Sequence, residues 1–210
     1  MENLHTELET WDTSNMQVFW GEIAPCHHLV QIYDNDKIFL DTLEGFTGSG
    51  FLANETVVVI ATSQHLDALN QRLSAQGFDL NKLINSNRYI PVDAANLLSA
   101  FLVNDWIDEK IFHGFIKSML DHARQGNNKI RAFGEMVAIL WERGLYPATI
   151  QLEKLWNELH SRSEFTLFCA YPKIGFTQCA RDSIDTICRQ HGKVIDGRAR
   201  PATEIYYKSA

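Results

Sequence analysis

Cysteine, histidine and well-placed carboxylates are the side chains that can act as nucleophile, base or metal ligand near neutral pH, and this chain groups them in a few short stretches. Cys26-His27-His28 and Cys188-Arg-Gln-His191 are two clusters of competent metal ligands. A structural zinc site uses four ligands at tight, paired spacings. Only the second cluster has such a pair, and no C-x-x-C accompanies either. The competing reading is a buried cysteine beside a histidine capping a helix end. No metal is therefore expected, and Cys26, His28, Cys188 and His191 are the weak candidates. Cys169 ranks as a nucleophile only if His28 or another base lies beside it. Between Leu167, Phe168 and Ala170 it reads first as a small core hydrophobe. No G-x-S-x-G elbow is present. The expectation is a protein that is not an enzyme.

Phosphate chemistry can be tested on spacing. A P-loop places G-x-x-x-x-G-K-[ST] directly between a strand and a helix, so that backbone N–H groups and the lysine wrap the phosphates. The first such junction here is Tyr33-Asp-Asn-Asp-Lys37, which has no glycine and two acids that repel phosphate. The only glycine-rich piece, Gly45-Phe-Thr-Gly-Ser-Gly50, carries no lysine and reads as a helix stop. ATP is not expected as a ligand, and no cofactor is expected.

The elements that position these residues follow from periodicity. His28–Tyr33, Thr56–Ala61, Arg88–Val92, Lys129–Gly134 and Phe165–Tyr171 read as strands, with Val194-Ile195 as a short edge strand. Thr56-Val-Val-Val-Ile-Ala61 is the β-branched run of a strand buried on both faces. Helices follow each strand: one capped within Asp34–Asp36 and stopped by Gly48-Ser-Gly50, one capped by Ser63 with stripe Leu66, Leu69 and Leu73, and a short one capped by Asp93. A longer one runs from Ile107 to Arg124, with Ile107, Ile111, Phe112, Phe115, Ile116 and Met119 inward. Another runs from Glu135 to Arg143. One begins at Pro147 with stripe Leu152, Leu155, Trp156 and Leu159, and a last one is capped by Thr177. This alternation implies an α/β fold of three layers, a mostly parallel sheet with helices on both faces.

In such sheets ligands sit beyond the carboxyl ends of the strands. Tyr33, His65, Asp93, Glu135 and Tyr171 fall there, an aromatic and carboxylate-rich set suited to a small organic molecule. Arg131 shares a strand face with Phe133 and needs an acidic partner if buried. Glu135 is either a polar handle for a ligand or a first-turn acid on a helix dipole. His65 reads by default as a capping or solvated histidine, and Trp141 and Trp156 as core. Glu153 and Asn157, four apart, are either a solvated edge or functional. His28 starts its strand at the end away from the ligand edge.

The 210 residues carry 45% hydrophobic and 21% charged side chains and a net charge of −7. That is globular composition, not a disordered chain, and it lacks the basic face of a general nucleic-acid binder. The N-terminus has no basic start before an apolar stretch and no segment is long enough to span a bilayer, so a cytoplasmic protein with no membrane contact is expected. Residues 1–24 form an acidic lead-in, 25–195 a single domain and 196–210 a tail.

Several of these pieces together resemble one family. Arg131-Ala-Phe-Gly-Glu-Met-Val137 with Leu140-Trp141 is similar to the R-x-F-G-E-M-V-x-x-L-W signature of the MEDS domain, the sensory domain of methanogen and methylotroph regulators of the DcmR type. Leu152-Glu-x-x-Trp156-Asn157, Cys169-Ala-Tyr-Pro172 and Ile187-Cys-x-x-His191 resemble its later motifs, and His28 to Tyr33 its first strand. The resemblance implies a RecA/KaiC-like fold with a degenerate phosphate loop. It also marks His28, Trp141, Glu153, Trp156, Asn157, Cys169 and His191 as family-motif residues, structural or functional. It further implies a module that senses simple hydrocarbon derivatives. With no room after residue 195 for a helix-turn-helix or a kinase, output through a separate histidine kinase or transcriptional regulator is expected, without direct nucleic-acid contact. A homodimer is the default assembly. The alternatives are an interaction module without a small ligand, docking through the acidic lead-in or the tail with Arg189, Lys193, Arg198 and Arg200, and a residual nucleotide- or thiol-dependent enzyme.

Overall fold

The computed structural model describes residues 28–125, 128–175, 180–197 and 204–207. The acidic lead-in, Cys26 and the Thr177 cap fall outside them. The strands are β1 (His28–Tyr33), β2 (Thr56–Ala61), β3 (Tyr89–Asp93), β4 (Leu102–Val103), β5 (Trp106–Ile107), β6 (Ile130–Gly134), β7 (Thr166–Pro172), β8 (Lys193–Gly197) and β9 (Glu204–Tyr207). The helices are α1 (Asp36–Leu52), α2 (Ser63–Ala75), α3 (Leu80–Asn85), α4 (Ala94–Ser99), α5 (Glu109–Ala123), α6 (Met136–Glu142), α7 (Tyr146–Arg162) and α8 (Ala180–Arg189).

The main sheet has the order β3-β2-β6-β7-β1-β8-β9. The first six strands run parallel and β9 is antiparallel to β8. Parallel strands covered on both faces need apolar side chains on both, and β2 and β7 are buried at every position. Leu29, Tyr33, Val57, Val59, Phe133 and Phe168 point to one face, where α1, α2 and α3 cover them. Val30, Val58, Ile60, Ala132, Leu167, Cys169 and Tyr171 point to the other, under α4 to α7 and Ile187 of α8. Among the described residues no helix is long and apolar enough to cross a membrane.

Four local expectations are corrected. Gly48 and Gly50 do not stop α1, which runs on to Leu52. Gly50 is there for close packing, since a Cβ would stand 2.7 Å from Val57 Cγ2. Thr62, not Ser63, caps α2, its Oγ1 accepting the His65 N–H. Ile107 belongs to the β4–β5 hairpin rather than to the helix, so α5 starts two residues later, capped by Asp108. With that shift Phe112, Ile116, Leu120 and Ala123 form its buried stripe, while Ile111 and Phe115 face solvent. Val194-Ile195 is no edge strand, because β8 pairs with both β1 and β9.

Candidate functional site

The strands' carboxyl ends bring three of the expected residues together. Glu135 follows β6 and is buried. Its own backbone N–H donates to Ile60 O, which pins the turn against β2. The carboxylate reaches across that junction, accepting the Thr62 N–H on Oε2 at 2.7 Å and lying 2.6 Å from His65 Nδ1 through Oε1. It makes no capping hydrogen bond to its own helix, so its role is to bridge two strand ends. Phe39 of α1 lies under this pair, edge-on to the His65 ring at 4.8 Å and stacked on Tyr33 at 4.9 Å. Burial opposes the charged form of His65, but the hydrogen bond and charge of Glu135, with Asp36 and Glu142, prevail and hold its pKa above the usual imidazole value. Burial first, then the charges of Glu135, Asp36 and Glu142, push the Tyr33 phenol up. The result is a half-buried imidazole–carboxylate pair beside two aromatic rings.

The other expected ligand-edge residues go elsewhere. Asp93 caps α4 by accepting the Asn96 N–H. Arg131 lies near the start of β6, not its end, and finds its acidic partner in Glu55, with Ser49 Oγ and Phe46 O accepting from Nη1. Tyr171 points to the opposite face of the sheet and is fully buried. At the β1–α1 junction, Asn35 accepts the Ile38 N–H and Asp36 opens the helix.

On that opposite face lies a second, denser cluster. His28 shares its face of β1 with Val30 and so points under α7. Glu153 and Asn157 are no solvated edge, because α7 presents that strip to the sheet together with Leu152 and Trp156, and Glu153 is 0% exposed. His28 Nδ1 lies 2.8 Å from Asn157 Oδ1, and His28 Nε2 lies 3.5 Å from Cys169 Sγ and 3.6 Å from Glu153 Oε2. The turn closing α8 carries His191, whose Nδ1 is 2.8 Å from Ile187 O and whose Nε2 is 3.4 Å from Glu153 Oε2. The Tyr171 hydroxyl donates to Glu153 Oε1. Burial and neighbouring His191 draw the His28 pKa down to about 3, against Glu153 and Asn157. Burial opposes ionisation of Glu153, yet the two histidines and Tyr171 hold it below the carboxylate range. Trp141 and Trp156 are core, Trp156 edge-on to Phe112 at 5.4 Å.

Cys169, His28 and Asn157 thus stand in the order of nucleophile, base and orienting group. The chemistry of the thiol runs against that use: burial and the Glu153 charge push its pKa well up, and a protonated, enclosed thiol is a poor nucleophile. The four groups can instead hold a cation, since one ligand atom from each of His28, Glu153, Cys169 and His191 lies within 4.8 Å of the others. Of the weak metal candidates the structure therefore unites His28 and His191. Cys188 is half-buried and outside this cluster. The sequence raises His28 as the base that could stand beside Cys169, and the structure places it there at 3.5 Å; the sequence does not show Glu153 as the partner of both histidines. The available signal was the strand period, which puts His28 and Val30 on one face and Cys169 and Tyr171 on the matching face of the neighbouring strand.

Residues 27–192 match the family model described as "MEDS: MEthanogen/methylotroph, DcmR Sensory domain". No curated protein matches the chain. Among solved structures, an uncharacterized protein from Pyrococcus horikoshii in complex with an unknown peptide is similar, with a TM-score of 0.68 at 12% identity over 94% of this chain and 89% of that one. A second P. horikoshii OT3 protein gives 0.60 at 10% identity, covering 90% of each chain. A KaiC-like protein of the same organism gives 0.55 at 12% identity, over 87% of this chain and 77% of that one. These likenesses establish a RecA/KaiC-like fold.

Proposed function

The chain belongs to the MEDS sensory-domain family, and from this premise we propose that it takes a small organic, hydrocarbon-derived molecule at the carboxyl edge of its sheet. In this reading it catalyses no turnover and passes its signal to a separate histidine kinase or transcriptional regulator. One observation supports it above all: Glu135 is held by Thr62 N–H and His65 at the point where strands β2 and β6 end, beside the rings of Phe39 and Tyr33. A ligand of that size needs apolar walls and a few fixed polar groups, and this edge offers both. ATP is outside the proposal. The β1–α1 junction presents Asp34 and Asp36 where a phosphate loop would present glycines and a lysine.

A thermal-shift screen with small alcohols, amines, carboxylates and halocarbons tests the site, since a ligand bound only by the folded chain raises Tm. A positive compound is expected to lose its shift in Glu135→Gln and His65→Ala, and ATP is expected to give none. If no compound acts, or if Glu135→Gln keeps the full shift, the carboxyl edge is not the sensor.

A second reading, an interaction module without a small ligand, is favoured by Val103, Trp106, Ile111 and Phe115, large apolar side chains exposed along the hairpin and α5. A silent screen together with partner capture that fails in Trp106→Ser would select it.

A further inference from the structure

The cluster on the opposite face of the sheet has the construction of a metal centre. Its ligands come from four separate places: His28 on β1, Glu153 on α7, Cys169 on β7 and His191 in the turn after α8. In each polar ligand, one atom is already occupied from outside and another is left facing the centre. His28 Nδ1 is engaged by Asn157, His191 Nδ1 by Ile187 O and Glu153 Oε1 by Tyr171. What remains is His28 Nε2, His191 Nε2, Glu153 Oε2 and Cys169 Sγ. His191 Nε2 and Glu153 Oε2 are buried atoms without a hydrogen-bond partner. Metal-bound histidines characteristically give their other ring N–H to a carbonyl or carboxylate-type acceptor, which fixes the tautomer with the inner nitrogen free. Both histidines here have that arrangement.

The spacing fits a small ion. With metal–nitrogen and metal–oxygen bonds near ~2.1 Å and metal–sulfur near ~2.3 Å, the edges of a tetrahedron come to roughly 3.4–3.6 Å. The observed separations of 3.5 Å from His28 Nε2 to Cys169 Sγ, 3.6 Å to Glu153 Oε2, and 3.4 Å from Glu153 Oε2 to His191 Nε2 lie on that scale. All four ligand atoms lie within 4.8 Å of one another. Two imidazoles, a thiolate and a carboxylate suit zinc-class divalent ions, whereas calcium and magnesium want six or more oxygens.

We propose that His28, Glu153, Cys169 and His191 bind one zinc-class divalent cation in a closed, four-ligand site. On binding, the Cys169 thiol loses its proton to solvent and the thiolate and the Glu153 carboxylate together balance the ion's charge. With all four ligands buried, the site is closed to substrate. It fastens the turn after α8 to β1, β7 and α7. It is separate from the carboxyl-edge site, which lies on the other face of the sheet.

The test uses the untagged full chain, stripped with a chelator and dialysed against Zn²⁺ or Co²⁺. Expected are retention of about one ion per chain after desalting, a higher Tm than the stripped protein, and, with Co²⁺, a thiolate charge-transfer band together with intense tetrahedral d–d bands. Cys169→Ser is expected to abolish the charge-transfer band, and Glu153→Gln, which keeps the size and the Tyr171 contact, to weaken retention. Asn157→Ala, acting through His28, is expected to weaken affinity about 10–100-fold. His65→Ala should bind normally. If Cys169→Ser does not fold, the Co²⁺ spectrum of a chain with Cys26, Cys179 and Cys188 replaced by serine decides, because Cys169 is then the one thiol left to give that band. No stoichiometric retention, no thiolate band, or retention unchanged in Glu153→Gln and Asn157→Ala overturns the site. None of these results touches the carboxyl-edge screen, so the two readings fail separately.

Discussion

Glu135 and His65 form a contact whose strength depends on one proton. The imidazole sits between Glu135, Asp36 and Glu142 and against the Phe39 ring, and its folded pKa is raised. The unfolded imidazole titrates at about 6.5. The pair therefore contributes its full stability below that pH and loses it as pH climbs through the higher folded value. Urea midpoints for the wild type and His65→Gln are expected to differ by a constant amount in mildly acidic buffer and to converge as pH climbs through the raised folded pKa. In a Glu135→Gln background that pH dependence should largely vanish; an equal convergence there would place its origin elsewhere. Arg131 poses the opposite case, a buried cation with a fixed charge. Its ion pair with Glu55 and its contacts with Ser49 and Phe46 make Arg131→Met costly, by about 3–5 kcal/mol for a broken buried pair, toward the low end because Glu55 keeps some exposure. Chemical denaturation measures it. At this scale the sequence shows Glu135 as a residue beside a strand end and Arg131 as one in need of an acid. It cannot show Glu153 as buried, since an acid on a helix is solvated unless a specific partner waits inside, and those partners lie far away in the chain.

The elements reveal which local signals were ambiguous. Glycine is both a helix breaker and the residue of closest approach, and Gly48-Ser-Gly50 reads as the first while acting as the second. At Gly50 an added Cβ would meet Val57 Cγ2 at 2.7 Å and Arg131 Cδ at 3.1 Å. Gly50→Ala gains up to about 1 kcal/mol of helix propensity, but overpacking a core contact costs about 1–3 kcal/mol, so net destabilisation is expected. An equal or higher denaturation midpoint would show that α1 shifts to make room. Gly114, with nothing within 4 Å of its added Cβ, is the control: Gly114→Ala should stabilise. The strands were legible because a double-sided parallel sheet demands long apolar, β-branched runs. The β4–β5 hairpin was not, because two-residue strands carry no period. Its tip at Asn104 and Asp105 takes the left-handed conformation, which turns Ile107 out of the following helix and resets the register of α5.

At the scale of the whole molecule, the sheet order explains why the buried His28–Glu153–Cys169–His191 cluster escapes sequence spacing. β1 lies between β7 and β8, so residues near 28, 153, 169 and 191 meet although long stretches of chain separate them. Only the topology, not any local motif, brings them to one point. The same order gives β8 a structural weight that a short apolar pair near the C-terminus does not announce. β8 covers the flank of β1 along Leu29 to Tyr33. Ile195 is fully buried in the α1 face of the core, and Gly192 N–H donates to His28 O at 2.9 Å. A chain cut after Gly192 keeps every residue of both candidate sites yet turns β1 into an open edge, with a row of unpaired backbone groups next to the sheet's centre. It also loses the Ile195 side chain, and truncating a buried isoleucine alone costs about 2–5 kcal/mol. The shortened chain is expected to have a much lower denaturation midpoint and to aggregate on size-exclusion chromatography. A monodisperse product with the wild-type midpoint would mean that β1 closes the sheet unaided and that β8 is an accessory strand.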